Sequence, residues 1–188
     1  MSGNMTKIAV LDDWQGIARQ SADWSVLEAK AQVTMFTEAF ADEDDAAAKL
    51  ADFDIVLSMR ERTPLPGSLI GRLPKLRMLG MTGARNASLD TPACTARGIV
   101  VCNTLGGGYA DSATAELALG LLIAAARGIP KGDSNMRGGT FQMGVPVGAG
   151  LAGKTIGIVG LGRLGGYMAQ YCKALRMNVV AWSQNLTA

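Results

Sequence analysis

Residues Gly160-Leu161-Gly162-Arg163-Leu164-Gly165 form the pattern G-x-G-x-x-G immediately after the apolar run Thr155-Ile156-Gly157-Ile158-Val159. Each glycine of such a turn has its own reason to be there. Gly160 permits the tight passage from strand to helix, Gly162 lets a pyrophosphate approach the backbone, and Gly165 lets the helix pack closely on the strand. Amides at the helix start, including those of Arg163 and Leu164, then face the phosphates, where the helix dipole favours negative charge. The pattern alone is weak evidence, because a glycine-rich packing turn has the same letters. Here the strand before it, a helix running through Ala174 and a second strand at Asn178 to Trp182 lie in the order a dinucleotide site requires.

The end of that second strand bears on which dinucleotide is taken. A carboxylate is expected there, roughly 20 residues beyond the glycines, to accept hydrogen bonds from the adenosine ribose. This chain has Ser183-Gln184-Asn185 instead. No acid is present to repel a ribose 2′-phosphate and no arginine stands beside these residues to bind one, so NAD and NADP both remain open.

Positioning such a turn requires a parallel α/β scaffold, and the rest of the chain has the matching periodicity. Lys7–Leu11, Gln32–Phe36, Asp54–Ser58, Leu76–Met81 and Ile99–Cys102 read as strands buried on both faces. Between them, Asp42 to Leu50 reads as a helix with acidic residues at its positive end, and Asp90 caps a second helix that has Pro92 early and Gly98 as its stop. Parallel neighbours need long crossovers, so the first hundred residues predict a doubly wound α/β unit. A glycine-rich break, Asn103 to Gly108, marks a domain boundary, with domains expected at 1–105 and 106–188. Asp111 to Arg127 is the longest helical signal. Leu117, Leu121 and Ala124 lie on one side and Leu119, Leu122 and Ile123 elsewhere, which predicts burial within the domain or between subunits. Gly128 to Gly153, with eight glycines and two prolines, predicts an irregular arm.

Composition narrows the function classes. Hydrophobic residues make up 48% of the 188, ample for packed cores. The longest apolar run, Leu117 to Ala126, is about half of what crosses a bilayer, and Asp12 and Asp13 break the N-terminal apolar run too early for a signal peptide. A cytoplasmic protein without a membrane role is expected. Cys94, Cys102 and Cys172 are odd in number, widely spaced and unaccompanied by histidine, which suggests small buried hydrophobes and neither a disulfide framework nor a metal site. Residues 1–61 hold 5 basic and 12 acidic side chains, whereas residues 62–188 hold 13 and 4, so the second part favours anionic ligands. No dense basic cluster with interleaved aromatics points to nucleic acid.

Several ordered pieces together resemble the D-isomer-specific 2-hydroxyacid dehydrogenases, the family that includes phosphoglycerate, glycerate and formate dehydrogenases. Leu73-Pro74-Lys75-Leu76-Arg77 is similar to the lead into the family's fourth strand and Cys94 to Val101 to its next conserved-looking segment. Ala113-Thr114-Ala115-Glu116-Leu117 resembles the start of its long helix, and Lys154 to Gly165 its cofactor fingerprint. The resemblance implies a flavodoxin-like parallel-sheet substrate domain followed by an incomplete Rossmann dinucleotide-binding domain. It also implies NAD or NADP as cofactor, a small 2-hydroxy or 2-oxo acid as substrate, and a homodimer formed through the nucleotide-binding domain.

In that family, backbone amides after the fourth strand hold the substrate, which here designates Gly83, Ala84 and Arg85. Arg85 and Asn86 depart from the usual glycine and aspartate, and Leu105 replaces a common proline. Arg85 is read either as a guanidinium near the substrate carboxylate or as a solvent-facing side chain. Arg60 and Arg62 either face the cleft or form surface ion pairs with Glu61 or Asp54. The cofactor-binding set is Gly160, Gly162, Arg163, Leu164, Gly165, Ser183 and Gln184.

The family's catalytic arginine, histidine and carboxylate are expected beyond residue 188, so no catalytic residue is assigned in this chain. It has no histidine, the side chain that exchanges the hydroxyl proton during hydride transfer. Two readings follow from that. One is a D-2-hydroxyacid dehydrogenase of which 188 residues are a truncated part, and the other is a noncatalytic dinucleotide sensor or scaffold similar to the family.

Overall fold

The computed structural model describes residues 5–104, 112–184 and 186. Most of the glycine-rich break, the expected boundary at 105/106, Leu105, Asp111 and Asn185 lie outside the described residues. The chain divides into two compact units, Met1–Gly106 and Gly107–Ala188.

The first unit is a parallel sheet of five strands: β1 (Thr6–Val10), β2 (Ala31–Met35), β3 (Ile55–Ser58), β4 (Met78–Met81) and β5 (Val100–Asn103). Their order is β2-β1-β3-β4-β5, the flavodoxin-like order. The short helices α1 (Ala18–Ser21) and α2 (Ser25–Glu28) follow β1, α3 (Glu43–Leu50) follows β2, α4 (Gly67–Gly71) follows β3, and α5 (Thr91–Ala96) follows β4. Apolar side chains from strands and helices meet in one core that includes Ala9, Leu11, Leu50, Val56, Leu69, Ile70, Leu79 and Cys94. Asp42 caps α3 by accepting from the Asp45 amide at 2.8 Å, and Asp90 caps α5 by accepting from the Ala93 amide at 2.9 Å. The Arg97 guanidinium grips the carbonyls of Ile70 and Leu73, tying the exit of α5 to the end of α4.

Burial on both faces holds for Ile8–Val10 of β1 and fails for β5, where Val100 is 58% exposed. β5 is an edge strand, with a neighbour on one side. Cys102 on that strand is exposed, a correction to the expectation of three buried cysteines, while Cys94 and Cys172 are buried.

The second unit contains α6 (Ser112–Arg127), α7 (Ile129–Arg137), β6 (Thr155–Val159), α8 (Arg163–Ala174) and β7 (Asn178–Trp182). β6 and β7 pair in parallel from Thr155↔Asn178 to Val159↔Trp182. α6 packs along α8, yet Ala115 is its one buried residue, and Leu117 and Leu121 are exposed, so burial of the helix within its own unit is not observed. The arm after it is less irregular than expected, because α7 occupies Ile129–Arg137. Gly128 takes the left-handed conformation at φ 61° and turns the chain. Pro130 in the first turn then fits the new helix without losing an amide bond. The buried Asn135 side chain donates to the Met143 carbonyl at 2.5 Å and folds the following loop back on α7.

Candidate functional site

In the second unit the three motif glycines serve different needs. Gly160 has φ 96°, a left-handed value that disfavours any side chain, and its amide donates to the Trp182 carbonyl at 2.6 Å. At Gly165 a Cβ would overlap the Gly160 carbonyl oxygen and stand 3.3 Å from Ile158 Cγ2, so the start of α8 lies directly against the turn and β6. Gly162 is unlike both. Its φ is −82°, and among the described residues nothing lies within 4 Å of where its Cβ would be. It is the N-cap of α8 and offers no side-chain oxygen to the first-turn amides, which begin at Arg163 and Leu164. Packing among the described residues therefore does not require glycine at 162, whereas a phosphate pressed against this backbone would. This open cradle at the positive end of a twelve-residue helix fits a dinucleotide pyrophosphate. Ser183 and Gln184 follow β7 directly, and the Ser183 carbonyl accepts from the Leu186 amide at 3.0 Å. An apolar cleft of about 370 Å³, lined by Ala115, Ile156, Ile158, Leu164 and Met168, adjoins the turn.

In the first unit the candidate residues lie where the parallel strands end, the edge at which α/β sheets bind ligands. Gly83 follows β4 with φ 94°, and its amide donates to Thr104 Oγ1 at 2.9 Å. The Ala84 carbonyl accepts from Asn103 Nδ2 at 3.0 Å, which joins this loop to the end of β5. Arg85 is exposed and makes no ion pair among the described residues. The Arg60 guanidinium lies against Gly83, with Cζ 3.1 Å from the position a Cβ would take. Arg60 also approaches Glu61 at 3.9 Å, a solvent-exposed pair that contributes little.

The other expected ion pairs do not form. Arg62 donates to the Asp12 carbonyl at 2.8 Å and stacks 4.7 Å from the Trp14 ring centroid. Asp54 precedes β3, at the far end of the strand from Arg60 and Arg62, and pairs with Arg77 at 3.3 Å.

Residues that the sequence did not single out join these loops. Asp12, just past the end of β1, is 1% exposed and left-handed at φ 62°; its Oδ1 accepts from Thr63 Oγ1 at 2.8 Å, and its Oδ2 has no partner among the described residues. Burial pushes the Asp12 carboxyl above its usual range, against the opposing pull of the Thr63 hydroxyl and the Arg62 charge. The signal was available, since an acid immediately after a buried strand stands at the ligand-binding edge of an α/β sheet. Thr82 carried no such signal, and the departure already noted at Asn86 does not disclose its bond to the Arg60 carbonyl, because each pairing spans more than twenty residues. Among the described residues no group of three histidine, cysteine or acidic side chains could hold a metal.

A flavodoxin-like parallel sheet and a glycine turn opening onto an uncapped helix define a dinucleotide-binding α/β protein. Residues 119–188 match the family model described as "D-isomer specific 2-hydroxyacid dehydrogenase, NAD binding domain". A D-3-phosphoglycerate dehydrogenase of Archaeoglobus fulgidus is 40% identical over 124 residues, covering 66% of this chain and 23% of that protein. The enzyme of the same name from Mycobacterium tuberculosis is 36% identical over 141 residues, covering 75% and 26%. The crystal structure of a phosphoglycerate oxidoreductase from Vibrio cholerae superposes with a TM-score of 0.88 at 33% identity, covering 96% of this chain and 57% of that one. D-lactate dehydrogenase from Escherichia coli, at 20% identity and a TM-score of 0.77, shares the fold. Residues 119–188 thus match the NAD-binding domain of the D-isomer-specific 2-hydroxyacid dehydrogenase family, which supports NAD or NADP as the cofactor. It spans about a quarter of the length of these curated relatives.

Proposed function

We propose that these residues form the substrate-binding and nucleotide-binding parts of an oxidoreductase that interconverts a D-2-hydroxy acid and its 2-oxo acid. The carrying observation is Gly162, a glycine that packing among the described residues does not require, at the start of a helix in the family's nucleotide motif. Residues 1–105 are the substrate domain and 106–188 the nucleotide domain. Gly160, Gly162, Arg163, Leu164 and Gly165 receive the pyrophosphate, and Ser183 and Gln184 lie at the adenosine ribose. A bound nicotinamide supplies the hydride acceptor or donor. Gly83, Ala84 and Arg85 hold the acid, and the Arg60 guanidinium lying against Gly83 suits an anionic substrate. None of residues 1–188 is assigned the proton transfer, since the chain has no histidine.

The exposed Leu117 and Leu121 of α6, with Ile129, Met136 and Phe141 after it, support a homodimer formed through this unit. Three free cysteines suit the reducing cytoplasm, and no single described helix is long and apolar enough to cross a membrane.

Following NADH and NADPH oxidation by the full-length protein with glyoxylate, hydroxypyruvate, phosphohydroxypyruvate and other 2-oxo acids tests the reading. Turnover of at least one acid is expected, and inactivity with every acid and both nucleotides contradicts it. The alternative reading is a noncatalytic dinucleotide sensor similar to the family. That protein would raise its melting midpoint with nucleotide and turn over nothing.

A further inference from the structure

The Arg60 backbone occupies the left-handed region at φ 52°, a conformation that a side chain with a Cβ adopts only when its surroundings enforce it. Two hydrogen bonds enforce it here. The Arg60 amide donates to Thr82 Oγ1 at 3.0 Å, and the Arg60 carbonyl accepts from Asn86 Nδ2 at 2.7 Å. Asn86 is 9% exposed, and its Oδ1 is also engaged, accepting from the Ser88 amide at 2.9 Å and the Ser88 hydroxyl at 2.7 Å.

The chemistry of these partners makes the amide hard to replace. A backbone carbonyl only accepts and a backbone amide only donates, so the residue at 86 must donate on one side and accept on the other. Asparagine meets both demands in one short side chain. Aspartate would set a carboxylate against the Arg60 carbonyl, and an apolar residue would strand both neighbours. The glycine at 83 belongs to the same arrangement, because any side chain there would collide with the Arg60 guanidinium.

We propose that Asn86 is a positioning residue for substrate: it locks the loop after β3 onto the loop after β4 and so holds the Arg60 guanidinium over Gly83, where the anionic group of the acid is received. The inference rests on the reading that Gly83, Ala84 and Arg85 bind the acid. It adds that Asn86 fixes the shape of this loop by a bond to a neighbouring strand end. Asn86 itself touches neither substrate nor nucleotide.

Steady-state kinetics on the full-length enzyme with its best 2-oxo acid test the proposal, using Asn86→Asp, Arg60→Ala and the double variant. Asn86→Asp raises KM for the acid about tenfold, changes kcat less than threefold and leaves nucleotide affinity unchanged. The double variant is no worse than Arg60→Ala alone, because both act through one guanidinium. Thr82→Val, which loosens the other hold on Arg60, raises KM in the same direction and serves if Asn86→Asp does not fold. An unchanged KM in Asn86→Asp, or in Thr82→Val where that variant serves, overturns the proposal, as does a double variant whose effects multiply. A wild-type enzyme inactive on every acid overturns the substrate reading and this proposal together, a result distinct from an active enzyme indifferent to Asn86.

Discussion

In the first unit the loops at the strand ends are held by side chains: Thr63 to Asp12, Arg62 to the Asp12 backbone, Asn86 and Thr82 to Arg60, Thr104 to Gly83. In the second unit the candidate turn is shaped by the lack of side chains at Gly160, Gly162 and Gly165. The units also differ in what lies beneath. The core cluster of fifteen buried residues, Ala9 to Ile99, lies wholly in the first unit, whereas β6 and β7 leave Val159, Val180 and Trp182 exposed. A substrate loop has to present charge in a defined direction, which needs side chains tied across strands. A phosphate cradle needs backbone amides within reach, which needs side chains out of the way.

Substitutions in matched places test that contrast. The largest effect belongs to Leu79→Ala, which empties a fully buried position in β4 and costs about 2–5 kcal/mol in denaturant unfolding. In the 188-residue chain, Val180→Ala on the exposed β7 costs less than about 0.5 kcal/mol. Comparable losses would show that β7 is as well packed as β4. Next comes Gly165→Ala, where the new methyl meets the Gly160 carbonyl. Separating helix from turn lowers stability by about 1–3 kcal/mol and weakens NADH and NADPH binding together, as melting curves with and without nucleotide report. A variant with normal binding would mean that the close packing of α8 on the turn is unimportant.

A smaller effect than that of Gly165→Ala is expected at Asp12. Its raised carboxyl pKa means that the folded state binds the proton more tightly than the unfolded chain, so stability falls as pH rises from 3.8 through the folded value. Asp12→Asn removes the charge, keeps an acceptor for Thr63, and raises stability at neutral pH by on the order of 1 kcal/mol. The gain shrinks as pH drops through that window. Paired melting curves of both proteins from pH 3 to pH 8 check it, and a variant less stable than wild type at neutral pH would show that the Arg62 charge outweighs burial.

Much of the scaffold was legible because it depends on local periodicity. Each of the seven strands lies within two residues of its expected place, including β6 and β7, and the Asp90 cap is legible in sequence, whereas Asp42 reads only as part of an acidic helix start and caps α3 in the structure. α7 was not, since Gly132 and Pro130 count against a helix unless proline falls in the first turn, as it does after left-handed Gly128. The exposure of α6 was equally hidden, because an apolar helix carries no mark of what covers it. In the candidate site the glycines announced themselves by spacing. The positions of Asp12 and Asn86 carry a signal in sequence but their bonds do not, because the partners Thr63 and Arg60 lie on other strand ends and come together only when the sheet forms.

The central claim is that Gly162 is kept free of a side chain for a nucleotide and not for the fold. Calorimetric titration of NADH and NADPH into full-length wild-type protein and Gly162→Ala tests it most directly, with melting midpoints taken in the absence of nucleotide. The wild type should bind at least one nucleotide and the variant should bind about tenfold or more weakly, with midpoints within about 2 °C of each other. Equal affinity in the two proteins, or no uptake of either nucleotide by the folded wild type, would contradict it.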